Sequence, residues 1–477
     1  MTTIVVAFLV AFAVSVTLTP RIRDFAIGRM LVDDGSSSRK VHDQPVPRLG
    51  GIAIVLAFFV PLAGLFVVHT DLGHRFAGDR SHVLALFGGG AAIAALGLWD
   101  DLRGVPARIK LAAQCLIALW VWAVGVRIEI LANPFGEAIQ LGLFGFPLTV
   151  LWIVGLINAI NLIDGLDGLA SGVAIAGLAT NFILALSGGL HFNMLFTACL
   201  AGGTIGFLVY NFHPASIFMG DTGSMFLGFA LATTAIMSNT KSSTAVSLLV
   251  PIIALGLPIA DTLLAFVRRA VAGRPVFAAD REHVHHLLMS AGLSHRASVL
   301  VLYGVCVLLA LAGLLLASSR GVEALLILLG ASITIAVLFN RLGYGMGLLA
   351  GAQARPRNLL LHQQTKAVRG AIELAPDTGE VERHLRYFLE SLGSMRFSLR
   401  LGDETILACE LGGANTGPTL SSVRRLDSLC LTTEWCGSIG LPRDKEIAIE
   451  QLLPALARVV ARLHGNAVAV AVARDVA

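Results

Sequence analysis

The sequence predicts an all-α polytopic membrane body of about eleven transmembrane helices followed by a small soluble α+β domain. Three observations carry that prediction. Hydrophobic residues make up 56% of the 477 and charged residues only 14%, against the ~25% charge of an ordinary soluble chain. Charge is also unevenly spread, with about 30 charged residues in the last 138 positions and about 36 in the first 339. The apolar stretches recur at a length suited to a bilayer, which takes ~20 apolar residues per helix. A disordered chain is excluded by the apolar content, and 50 glycines beside 16 prolines show no collagen-like period.

In order, the spans are expected near 3–20, 49–69, 81–99, 109–126, 147–163, 169–186, 193–210, 222–239, 244–266, 297–317 and 322–339. The opening MTTIVVAFLVAFAVSVTLTP lacks a basic leader and a small-residue cleavage site, so it reads as a retained first span. One set of loops carries about fourteen Lys and Arg, among them Arg39, Lys40, Arg103, Lys110, Arg268, Arg269 and Arg281. The other carries about five: Arg75, Arg80, Arg127, Lys241 and Arg320. The positive-inside rule makes the richer set cytoplasmic, places the N-terminus outside and sends the tail to the cytoplasm. Six cysteines with no CxxC or Cys/His zinc spacing read as free thiols.

Every polar cluster then falls at the cytoplasmic face: RKVHDQPVPRLGG (39–51), WDDLRG (99–104), NLIDGLDG (161–168), NFHPASIFMGDTGS (211–224), PIAD (258–261) and DREHVHH (280–286). Asp100 and Asp101, ending a span beside Arg103 and Arg108, serve either as a solvated cap or as a metal- or proton-handling pair. Asn161, Asp164 and Asp167 repeat every third residue and so share a ~120° helix face, which inside an apolar body meets a cavity or a packing partner. Asp221, between Gly220 and Thr222 at a helix start, reads as a cap or as a carboxylate aimed at a magnesium diphosphate. His283, His285 and His286 follow Asp280 and Arg281. Zinc lacks a third and fourth ligand there, leaving phosphate contact or a solvated basic loop.

Together and in this order, these motifs resemble the polyprenyl-phosphate N-acetylhexosamine-1-phosphate transferases over about residues 1–340. The His-Val-His-His element, in place of an unbroken His-His-His, points to the N-acetylglucosamine-1-phosphate branch rather than to phospho-muramoyl-pentapeptide transferases. The resemblance implies a Mg²⁺ ligand (Mn²⁺ as substitute) at Asp221 and catalytic or metal-proximal roles for Asp100 and Asp101. It implies substrate contacts for Lys40, His42, Asn161, Asp164, Asp167 and Asn211, with Arg281, His283, His285 and His286 meeting the diphosphate or sugar. The implied reaction is attack by undecaprenyl (polyprenyl) phosphate on the β-phosphorus of a UDP-N-acetylhexosamine, releasing UMP and starting an envelope polysaccharide such as O-antigen or a teichoic acid linker. UDP-GlcNAc is the default donor, with N-acetylfucosamine and N-acetylquinovosamine as alternatives. A two-step route through an aspartyl nucleophile stays open, as does the rival class of membrane carrier. The setting implied is a bacterial inner membrane, with the lipid bilayer as partner, a homodimer as a common assembly and no nucleic acid.

The expected domains are 1–340, a linker at 341–357, and a cytoplasmic α+β domain at 358–477, GAF-like and regulatory or dimerising. GEVERHLRYFLESL reads as a helix, RFSLRL and ETILACEL as strands, SLCLTTEWCGSIGLP as a hairpin and EIAIEQLLPALARVVARLH as one amphipathic helix.

Overall fold

The computed structural model describes residues 1–33, 46–67, 73, 79–131, 133, 135–239, 248–275, 282–401, 404–411, 419–426, 429–436 and 443–464. The described residues of 1–34, 44–265 and 281–344 form one compact unit and those of 266–280 and 345–477 a second.

In the first unit the helices are α1 (Thr2–Gly28), α2 (Gly51–Gly64), α3 (Gly90–Arg103), α4 (Ala107–Ala123), α5 (Gly145–Ile163), α6 (Leu169–Ser187), α7 (His191–Asn211), α8 (Gly220–Asn239), α9 (Leu249–Ala254), the larger part of α10 (Gly256–Ala272), α11 (Val284–Ser290), α12 (His295–Leu316) and α13 (Gly321–Arg341). α3 is preceded by a π-helical turn, Leu84–Gly89. Two short antiparallel pairs, β1 (Val32–Asp33) with β2 (Val46–Pro47) and β3 (Ile130–Leu131) with β4 (Ile139–Gln140), close connections between helices. Among the described residues seven helices are long and apolar enough to cross a membrane: Thr2–Gly28, Ser81–Arg103, Gly142–Ile163, Leu169–Ser187, His191–Asn211, His295–Leu316 and Gly321–Arg341. The other expected spans are helical too, but α2 and α4 are short, and the ninth is broken into α9 and α10 at Leu255.

The core of this unit is aromatic and aliphatic, with Phe58, Phe196, Phe207, Phe226 and Phe229 fully buried. Phe58 meets Phe226 edge to face at 5.4 Å, a favoured aromatic geometry. Two enclosed amide NH2 groups find acceptors: Asn158 donates to Gln114 at 2.7 Å, and Asn193 to the Thr234 carbonyl at 2.9 Å. Such pairing is what an apolar interior demands of any amide it encloses.

The second unit contains most of α14 (Tyr344–Leu374), then α15 (Thr378–Ser391), four strands and α16 (Arg443–Glu450) and α17 (Leu453–His464). The strands β5 (Arg396–Leu401), β6 (Glu404–Glu410), β7 (Thr419–Leu426) and β8 (Leu429–Cys436) make an antiparallel sheet in the order β6-β5-β8-β7. Alternation in β5 turns Phe397 and Leu399 onto Leu385, Phe388, Leu456 and Val460 of the helices.

The stretch 341–357 expected as a linker lies mostly inside α14, which continues through Pro356 because the helix formers after it carry the pattern on. Two expectations need correction. The second hairpin runs from Thr419 to Cys436, its first strand, TLSSVRRL, being too polar to show clear alternation. The closing amphipathic helix is two helices, separated at Gln451–Leu452 just before Pro454, whose ring cannot continue a ladder from the preceding turn.

Candidate active site

The site forms where the ends of α3 and α5 meet the starts of α4 and α8. Its frame is backbone. The Phe218 N–H donates to the Pro47 carbonyl at 2.8 Å, while the N–H groups of Gly50 and Gly51 donate to the carbonyls of Phe218 and Met219 at 3.0 and 2.8 Å. The chains touch so closely that a Cβ on Gly51 would lie 2.1 Å from the Gly223 nitrogen, which is why the motif needs glycine there. Gly220, at φ +69°, turns the chain into α8, and a side chain on it would strike the Arg48 carbonyl and the Asp101 carboxylate.

Asp101 caps α8. Its Oδ1 accepts the Asp221 N–H at 2.7 Å, and its Oδ2 accepts the Thr222 N–H at 2.9 Å and the Thr222 hydroxyl at 2.5 Å. Both oxygens thereby accept from the first turn of α8, which places Asp101 as a holder of that helix start. Its neighbour faces the other way. Asp100 accepts from the Val105 N–H and from Lys110 Nζ, each at 2.5 Å, and the same ammonium reaches Asp221 Oδ2 at 3.0 Å. Asp221 Oδ1 accepts from Asn161 at 2.9 Å, and Asn161 also donates to Ser224 at 2.9 Å. Asp100, Asn161 and Asp221 are therefore brought together. Lys110, counted in the sequence only as a loop charge, is the cation that joins them.

Asp164 ends α5 and, among the described residues, shows no hydrogen bond to its carboxylate. Burial, and then the negative charges of Asp221, Asp101 and Asp167, push it up to about 8. Asp167 is different: buried, its Oδ2 accepts the Ala215 N–H at 3.0 Å and lies 2.8 Å from His213 Nδ1. Asn211, 2% exposed, accepts from the Gly168 N–H and Ser171 and donates to the Ile217 carbonyl. Tyr303 adds a 2.5 Å bond to the Gly168 carbonyl. Asp167 and Asn211 thus brace the loops at 164–168 and 212–219. One ligand atom each from Asp167, His213 and His295 lie within 4.8 Å of one another. The two imidazoles, however, are stacked at 4.2 Å and 19°, so their in-plane lone pairs run side by side instead of converging.

At the histidine element, His283 Nδ1 lies 2.8 Å from Asp261 Oδ2, and the Val284 N–H donates to Asp261 Oδ1 at 3.0 Å. His285 is 1% exposed, held against Gly165, and burial followed by its histidine neighbours pushes it down to about 3. The ring is thus held neutral and packed on the 164–168 loop. His286 is half-buried, its ring 4.2 Å from that of His285. Lys40, His42 and Arg281 lie outside the described residues.

Carboxylate oxygens are the donor type a hard divalent cation takes. Asp221, Asp164 and Asp100 offer carboxylate oxygens, and the like charges that crowd Asp164 are what a bound cation would offset. Asp221 and Asp164 would hold it, with Asn161 and Lys110 fixing Asp221.

Residues 83–239 match the model of glycosyl transferase family 4. A probable undecaprenyl-phosphate N-acetylglucosaminyl 1-phosphate transferase of Bacillus subtilis (strain 168) is 42% identical over 319 residues, covering 66% of this chain and 86% of that protein. A decaprenyl-phosphate N-acetylglucosaminephosphotransferase of Mycobacterium leprae (strain TN) is 35% identical over 291 residues, 56% of this chain and 72% of that one. An undecaprenyl-phosphate alpha-N-acetylglucosaminyl 1-phosphate transferase of Thermotoga maritima is 31% identical over 281 residues, 59% and 80% of the two chains. The chain belongs to glycosyl transferase family 4, as a multi-pass membrane transferase.

Proposed function

We propose that this protein transfers N-acetylglucosamine-1-phosphate from UDP-GlcNAc to undecaprenyl phosphate, releasing UMP and starting an envelope polysaccharide. The observation that carries the reading is the Asp100–Lys110–Asp221–Asn161 cluster with the Asp164 carboxylate beside it. An oxygen of the lipid phosphate attacks the β-phosphorus, the bond to the UMP phosphate oxygen breaks, and no atom of the protein is covalently bound. Both reactants are anionic, so charge neutralisation and alignment carry most of the catalysis. Asp221 and Asp164 would hold Mg²⁺, which when bound would supply Lewis-acid polarisation of the phosphates. Lys110 orients Asp221 and offsets the local negative charge. Asp100 aligns Lys110 and stands where the last proton of the incoming phosphate, whose second pKa is ~6, is accepted.

The lipid substrate explains the helical body, because an isoprenoid tail stays in hydrocarbon while its phosphate meets a water-soluble nucleotide. We read eleven spans, α2, α4, α8 and the α9–α10 pair crossing with the seven helices named above. The N-terminus is outside, with the site and the tail in the cytoplasm of a bacterium, following the Lys/Arg bias. The second unit is a regulatory or dimerising module. The test is UMP release from a panel of UDP-N-acetylhexosamines by purified protein supplied with undecaprenyl phosphate and Mg²⁺. Folded protein that releases none from any donor refutes the reading, and release from UDP-FucNAc or UDP-QuiNAc alone changes the sugar.

A further inference from the structure

The histidine element is anchored by a carboxylate whose two oxygens do different work. Asp261, on α10, is 1% exposed. Its Oδ1 accepts the Val284 N–H at 3.0 Å and the Tyr344 hydroxyl at 2.9 Å; its Oδ2 lies 2.8 Å from Nδ1 of His283. Capping α11 needs only the first oxygen. The second is placed on the imidazole, and a carboxylate at Nδ1 keeps the proton on that nitrogen and leaves Nε2 as the one ring atom able to meet a ligand. The ring plane is held as well, because His285 lies parallel to His283, at 5.9 Å and 4°. Tyr344 spans the arrangement from the other side, its hydroxyl also 2.7 Å from the Glu282 carbonyl and its ring edge-on to Phe339 at 4.7 Å.

We infer that Asp261 and Tyr344 are positioning residues that set the tautomer and orientation of His283 for the transfer reaction. The inference rests on the transferase reading above and extends it by taking the histidine element to meet the substrate diphosphate. Tyr344 lies outside every motif of the sequence, and Asp261, though in PIAD, carries no metal- or phosphate-binding pattern of its own. Their assignment comes from geometry.

A double-mutant cycle separates this role from simple helix capping. UMP release and thermal unfolding are measured for wild type, Asp261→Asn, Tyr344→Phe, His283→Ala and the two double variants, all as full chains in lipid nanodiscs. Asn keeps an oxygen for Val284, and Phe keeps the packing on Phe339, so both variants should melt near wild type. Asp261→Asn should lower kcat about 10- to 100-fold, the usual cost of losing an orienting partner. Tyr344→Phe should lower it about 3- to 10-fold, the worth of one hydrogen bond. In the His283→Ala background each should cost less than about twofold, because a residue that acts through another has nothing left to act on. Losses that multiply with His283→Ala, or Asp261→Asn turning over within about twofold of wild type, overturn the inference while leaving the transferase reading intact. A wild type that releases no UMP overturns both.

Discussion

Asp100 and Asp101 are adjacent and chemically identical, yet replacing them should differ in what it does to stability. Asp101→Ala removes three acceptors at once, for the Asp221 N–H, the Thr222 N–H and the Thr222 hydroxyl. An N-cap alone is worth ~1–2 kcal/mol. Each enclosed donor left without a partner costs a further ~1–3 kcal/mol, reduced where water reaches it. The sum expected is about 2–4 kcal/mol of stability, read as a fall of several degrees in melting temperature. That fall should be equal in EDTA and in Mg²⁺, because the carboxylate serves the helix and not a cation. Turnover should fall too, since the first turn of α8 carries Asp221. Asp100→Asn should melt close to wild type, a half-buried ion pair with Lys110 being worth ~1 kcal/mol, while UMP release collapses. Thermal unfolding of purified protein with and without Mg²⁺, alongside UMP release, checks both. The reasoning fails if Asp101→Ala melts within about 1 °C of wild type in EDTA, or if its destabilisation appears only when Mg²⁺ is present.

Asp221→Asn should lower UMP release by ~1,000-fold or more with little change in melting; retention of more than about a tenth of wild-type turnover removes Asp221 from metal binding. Chelation should abolish release and Mg²⁺ or Mn²⁺ restore it, whereas activity undiminished in EDTA refutes the cation. Asp164 supplies a pH test. Its folded pKa, about 8, lies above the ordinary carboxylate value, so the stability it contributes is fully present below ~4 and lost as pH rises through about 8. Without divalent cation, wild type should therefore lose more melting temperature between pH 6 and 9 than Asp164→Asn, and equal losses would show that Asp164 ionises normally. A reporter fused after Ala477 should be cytoplasmic and one in the 127–146 loop external; the reverse would put the site away from UDP-sugars.

Most helices could be read from apolar length alone, because in a bilayer-spanning chain length and composition are the dominant signal. The Asp221, Asn161 and Asp100 group was legible for a related reason: a carboxylate or amide inside an apolar run stands out. What the sequence hides is direction. Nothing in GLWDD distinguishes the acid that caps α8 from the acid that faces Lys110, since the difference is a 100° step around α3. Asp167 and Asn211 stood out equally well, but their partners are backbone groups, Ala215, Gly168 and Ile217, that no side-chain pattern announces. Lys110 looked like one basic loop residue among fourteen. In the tail, β7 escaped notice because TLSSVRRL pairs at the sheet's edge and has little apolar alternation to show.

The pairing of residues 47–51 with the chain at 218–219 has a consequence for biogenesis. The partners are about 170 positions apart, so the turn that presents Asp221 cannot be completed by any local segment as it leaves the ribosome. Seven helices, α2 to α8, must be threaded or started before Gly51 and Gly223 meet. Contacts this distant in sequence form late and slowly. A nascent chain therefore carries its acidic residues into the bilayer before the backbone that organises them exists, and it has no assembled transfer site until the eighth helix closes on the second.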